Sequence, residues 1–93
     1  MILVKFHEDV VALCDSDLIG KEFEEGNRYL KVSERFYKGE EISEEEIRRL
    51  FKGVDNLNMV GKEIIGFALK EGFINEEDVI SIQGVPHGQV YRF

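Results

Sequence analysis

The sequence predicts a single α+β domain: a mostly antiparallel sheet of four to five strands with two to three helices on one face. Three observations carry this. Strand-like patterns crowd both ends of the chain, two helical patterns lie in the middle, and no βαβ period links them. The 93 residues suffice for one modest core, because a chain this short buries only about 60–65% of its unfolded surface.

Each element follows in order. Ile2, Val4 and Phe6 alternate over residues 1–7, and VVALC at 10–14 is the continuous apolar run of a strand covered on both faces. His7-Glu8-Asp9 between them reads as a hairpin loop. DSDLIGKEFEEGN then reads as a short helix, with Asp15 or Ser16 as cap, Leu18, Ile19 and Phe23 as its apolar side and Gly26 as its stop. RYLKVS alternates again, Leu30 and Val32 inward. Ser43 with Glu46 forms a capping box, and Glu44 and Glu45 share that first turn. Ile47, Leu50, Phe51 and Val54 continue it at helical spacing, with Gly53 at the end. A second helix is expected from about Asn58 to Glu71, burying Val60, Ile64, Ile65, Ala68 and Leu69 and stopping at Gly72. VISIQ and QVYRF read as strands joined by a GVPHG turn. In that turn Pro86 takes position i+1, His87 an exposed tip and Gly88 i+3.

Composition narrows the function classes. Apolar residues at 43% and charged residues at 33% fit a soluble globular protein. The longest apolar run, Val10 to Cys14, is five residues, far short of the roughly 20 that span a bilayer. No signal peptide is visible at MILVKFHEDV, and a lone cysteine agrees with a reducing compartment, so a cytoplasmic protein with no membrane partner is expected. A net charge of −7 repels phosphate backbones, which excludes a general affinity for nucleic acid and any DNA preference. Abundant Glu beside scarce Gln is a thermophile-like balance.

Few residues carry chemistry. Glu40, Glu41, Glu44, Glu45 and Glu46 are explained by helix capping better than by a cation. Gly61-Lys62 lacks the spacing of a phosphate loop, and Glu63 stands where a hydroxyl is needed. Cys14 ends an apolar run beside Asp15 and Asp17, which would raise its pKa rather than activate it. His7, Glu8 and Asp9 would make a metal site only if His87 joined them, and no ligand spacing enforces this. No metal and no cofactor are therefore expected. The least acidic stretch, RYLKVSERFYK, interleaves Arg28, Lys31, Arg35 and Lys38 with Tyr29 and Tyr37. Cations among flat rings are what single-stranded RNA contacts need. His87 and Gln89 on the last hairpin are candidate contacts of the same kind.

The words MILVK, VALCD, GKEFEEG, VSERFY, LNMVG and GVPHGQV, taken in order along the chain, resemble a small archaeal family catalogued as a domain of unknown function. The resemblance implies an archaeal, cytoplasmic, single-domain protein and supplies no activity or site residues. The leading expectation is a non-catalytic binding module, an accessory of a translation or RNA–protein assembly that touches RNA, a ribonucleoprotein or a basic protein locally. The alternatives are a small enzyme pairing His87 with Cys14 or a carboxylate, and a structural homo-oligomer subunit joined through edge strands.

Overall fold

The computed structural model describes residues 1–92. Its strands are β1 (Ile2–Phe6), β2 (Val11–Asp15), β3 (Glu22–Glu25), β4 (Arg28–Lys31), β5 (Glu40–Glu41), β6 (Asn56–Val60), β7 (Val79–Ile82) and β8 (Val85–Tyr91). The helices are α1 (Glu34–Tyr37), α2 (Glu44–Gly53) and α3 (Lys62–Lys70). Six strands form one sheet in the order β5-β1-β2-β6-β8-β7, while β3 and β4 make a separate hairpin. The α+β class stands. The sheet is larger than expected and mixed, since β2 and β6 pair in parallel at its centre. No helix among the described residues is long and apolar enough to cross a membrane.

The two sheet faces bury different clusters. Ile2, Val4, Val11, Leu13, Leu57 and Met59 point to one face, where Ile47 and Phe51 of α2 and Ile64, Ile65, Phe67 and Ala68 of α3 cover them. Ala12, Cys14, Val60 and Ile82 point to the other, beneath Tyr37 of α1 and Leu30 and Val32 of the hairpin. Helices thus lie on both faces, with the short α1 and the hairpin sharing the second. The Ser43–Glu46 capping box forms as the sequence indicates.

Three local expectations fail, each for a physical reason. Residues 22–25 are a strand, because Gly26-Asn27 is a two-residue hairpin loop that pairs Glu25 with Arg28 and Phe23 with Leu30. Residues 56–60 are a strand rather than the first turn of a helix. The break falls at Gly61, whose φ of 124° is closed to residues with a Cβ. The last turn is Gln83-Gly84, both at positive φ (51° and 79°) as a type I′ hairpin requires. Pro86 and His87 therefore lie inside β8. Pro86 costs the sheet no bond there: its carbonyl accepts from Gly61 N–H at 2.9 Å, and the Gly61 carbonyl is taken by Ile65 N–H at 3.0 Å.

Asp15 does cap a helix, but not the local one. Its side chain is 6% exposed, and its two oxygens accept the Glu63 and Ile64 N–H groups at 2.8 and 2.9 Å. That satisfies the first turn of α3 from a neighbouring strand. Gly61 has no alternative there, since a Cβ would collide with the Asp15 carboxylate. Asp15→Ala should lower the unfolding free energy by about 2 kcal/mol, the upper range for losing a helix cap, which urea titration would measure.

Candidate functional site

The second sheet face is only partly roofed. α1 packs over β1 and β2, and the hairpin closes over Ile82 and Val85. What stays open is the outer face of β6 and β8. Strand alternation places Asn56 and Asn58 beside Gln89, Tyr91 and His87 on this face.

A polar network runs across it. Asn58 Oδ1 accepts from the Tyr37 hydroxyl at 2.6 Å and from His87 Nε2 at 3.3 Å. An amide oxygen only accepts, so His87 carries its proton on Nε2 and presents Nδ1 as an acceptor. Gln89 Nε2 donates to Asn56 Oδ1 at 3.1 Å, and Asn56 Nδ2 donates to the Asp9 carbonyl at 3.1 Å. Burial pushes the His87 pKa below its ordinary value, so the ring is neutral at pH 7. Burial also drives the Tyr37 hydroxyl well above the usual phenol range.

The sequence-predicted contact residues are scattered. Tyr37 is 4% exposed and serves as the buried end of the network rather than as a platform. His87 is half-buried in β8, not at an exposed tip. Arg28 and Lys31 are exposed on β4, but β3 sets Glu25 opposite Arg28 and Glu22 opposite Lys31. Tyr29 lies on that outer surface with its hydroxyl donating to Glu22, which holds it above the usual phenol range. Lys38 pairs with Glu34 at 3.4 Å. Arg35 is exposed on α1, where its carbonyl accepts from Lys5 Nζ at 2.6 Å. Gln89 alone sits where a contact residue should, exposed on the open face.

Cys14 and His87, one pair the enzyme alternative would use, are kept apart. They share one cross-strand row with Val60 between them, a separation of about 10 Å at two strand spacings. Cys14 is fully buried, its thiol donates to the Asp15 carbonyl at 3.1 Å, and burial pushes its pKa up to about 12. His7 lies across the sheet with its ring stacked on Phe36 at 4.5 Å and Nε2 bonded to the Phe36 carbonyl. A cleft of about 230 Å³ beside the Gln83-Gly84 turn is lined by Asp15, Asp17, Lys62 and Val85 but not by His87. Among the described residues no group of three or more His, Cys, Asp and Glu is placed to hold a metal.

Asn56, Asn58 and Tyr91 belong to the open face and escaped the sequence reading. The signal was the alternation in NLNMV, polar at 56 and 58 and apolar at 57 and 59. Reading Asn58 as a helix start concealed it.

Two pH effects follow. Above pH 6.5 His87 is neutral folded or unfolded, whereas below it the unfolded chain takes up a proton that the fold resists. Stability should therefore fall on acidification from pH 7 to 5.5. The slope contribution is under about 1.4 kcal/mol per pH unit, reduced further by the ring's solvent contact. His87→Gln should flatten that limb of the stability–pH curve. Cys14 acts at the other end. Its unfolded thiol ionises near 9 and its folded one only near 12, so its contribution, full below 9, is lost as pH rises towards 12. Cys14→Ala should make the alkaline decline shallower, and a thiol reagent should label the native protein only as fast as it opens.

Residues 5–93 match the family described as protein of unknown function (DUF424). The fold is similar to that in the crystal structure of an uncharacterized conserved protein from Methanopyrus kandleri, an archaeon. That likeness has 28% sequence identity and a TM-score of 0.71, and covers 100% of this chain and 93% of the other. None of the curated proteins matches the chain. With the family's match running from β1 to the last residue, the chain belongs to the DUF424 family of proteins of unknown function.

Proposed function

We propose that this chain is a non-catalytic binding module of an RNA–protein assembly, touching single-stranded RNA locally through the open face of β6 and β8. One observation carries the reading. In a chain of net charge −7 with 33% charged residues, the face built from Asn56, Asn58, His87, Gln89 and Tyr91 carries no charge at neutral pH. Its groups are amides, a neutral imidazole and a phenol. These are planar and hydrogen-bonding, suited to base edges and base faces rather than to phosphates. His87 and Gln89 lie two residues apart on the same face of β8, which sets an imidazole and an amide side by side for contact with an unpaired base. The acidic surface elsewhere confines any RNA contact to this patch and disfavours extended binding.

The β4 cations support the reading less than the sequence implied, because β3 sets a carboxylate opposite each of them. The test is fluorescence anisotropy with short single-stranded RNAs at two salt concentrations. The His87→Ala, Gln89→Ala double variant should bind at least about tenfold more weakly, the scale of one lost bidentate or stacking contact. Arg28→Ala with Lys31→Ala should change affinity by less than about twofold, with a shallow salt dependence. Absence of binding to every RNA, or loss confined to the Arg28 and Lys31 variant, would overturn the assignment.

A further inference from the structure

The two edges of the sheet are built differently. At one edge β5 is two residues long, both glutamates, paired with Leu3 and Val4. A short, charged edge strand resists the addition of another strand. At the other edge β7 runs Val79-Ile80-Ser81-Ile82 with no charge at all.

The phase of the β7–β8 ladder is fixed twice. The two-residue turn makes Ile82 and Val85 a hydrogen-bonded pair, hence also Ile80 and His87. Ser81 faces Pro86, which has no N–H to exchange, so this pair is non-hydrogen-bonded. The backbone groups of Val79 and Ser81 therefore point outward from the sheet. The Val79 N–H is used by the Glu76 carbonyl in the preceding turn. The Val79 carbonyl and both Ser81 groups have no backbone partner among the described residues. Beside them Ile80 is 40% exposed.

Charge frames this free stretch. Glu76, Glu77 and Asp78 immediately precede it. At its far end Gln83 accepts from Glu24 N–H and donates its own N–H to the Glu25 carboxylate, which brings two more acids there. Arg28 opposite Glu25 offsets one of the five. A second copy pairing antiparallel on this edge would set the 76–78 turn of one molecule against Glu24 and Glu25 of the other, acid on acid. A strand carrying cations meets the opposite situation.

We propose that the free edge of β7 is a strand-addition site for an extended segment of a partner protein. That segment carries Lys or Arg on either side of an apolar residue. The Val79 and Ser81 backbone holds its main chain, Ile80 packs on its apolar residue, and the acidic turns at both ends select its charge. Ile80 lies beside His87 on the face that carries the open patch, but the Val79 and Ser81 backbone groups line the sheet edge, and the proposal does not rest on the RNA reading.

The probes are blocked seven-residue peptides alternating Lys with Val, and counterparts with Glu in place of Lys, titrated into isotopically labelled protein followed by amide NMR. The Lys peptides should shift the Ser81 amide and slow its hydrogen exchange, and the Glu peptides should bind at least tenfold more weakly. Ser81→Pro removes the outward N–H without removing a bond to β8, and Ile80→Lys adds repulsion at an exposed position. Each should weaken the Lys peptides at least tenfold while far-UV circular dichroism stays unchanged, and Ser81→Pro, whose side chain lies on the opposite face from His87, should leave RNA binding unaffected. Equal binding of both peptide types, binding insensitive to Ser81→Pro and Ile80→Lys, or no binding at all would overturn the proposal. So would a dimer in sedimentation that Ser81→Pro dissociates, which would assign the edge to a second copy.

Discussion

The Asp15 carboxylate holds the centre of this fold together. It ends the central strand β2, and its two oxygens close the first turn of α3, whose own N-terminal residue Gly61 has no side chain to do so. Burying a carboxylate is costly, and desolvation raises the Asp15 pKa against the lowering by its two N–H donors. The positive end of α3 opposes that cost in the same way. The geometry then propagates. With α3 seated against β2, Gly61 follows β6 directly, and its N–H fixes Pro86 and with it the register of β8. A single buried charge thus aligns three of the four inner strands.

Surface electrostatics follows from pairing rather than from composition along the chain. The RYLKVSERFYK stretch looks basic only while it is read by itself. Folded, it faces KEFEE, and each β4 cation sits across from a glutamate. Such exposed pairs contribute little stability, roughly 0–1 kcal/mol each. Their effect is on the potential, which they level over the hairpin. The uncharged patch lies instead on β6 and β8, where amides and a desolvated imidazole replace ions.

What could be read from the sequence was what local chemistry decides. The α2 cap, the alternation of β1, the doubly covered run of β2 and the α+β class all rest on contacts or periods within a few residues. β6 was hidden because its short alternation, polar at 56 and 58 and apolar at 57 and 59, runs straight into Val60, and Asn58 reads equally well as a helix start. Val60, Ile64, Ile65 and Ala68 then counterfeit a helical stripe across the strand–helix junction. Gly61, costly inside any helix, was the discordant residue. β3 was hidden because Leu18, Ile19 and Phe23 fit a helix as well as they fit a turn followed by a strand. Only the pairing with β4 decides between them. The His87 site failed on a turn. Pro86 is a strong turn former, yet Gln83-Gly84 supplied the hairpin, and a shift of three residues moved His87 from tip to strand. The network joining Tyr37, Asn58 and His87 was beyond reach, since 21 and 29 residues separate its members.

The Asp15 cap also has a temporal consequence. Its donors lie 48 and 49 residues downstream, and the parallel pairing of β2 with β6 spans a similar length. As the chain leaves a ribosome, the first hairpin of β1 and β2 emerges long before β6, α3 or β8 can cover it. Through that interval the apolar VALCD strand has one side unpaired and its carboxylate uncompensated. Contacts this far apart delay folding, because loop closure precedes any gain from pairing. The uncompensated carboxylate of Asp15, with Asp17 two residues on, then resists premature association of that strand. The charge that locks the finished sheet is, during synthesis, a guard on its unfinished centre.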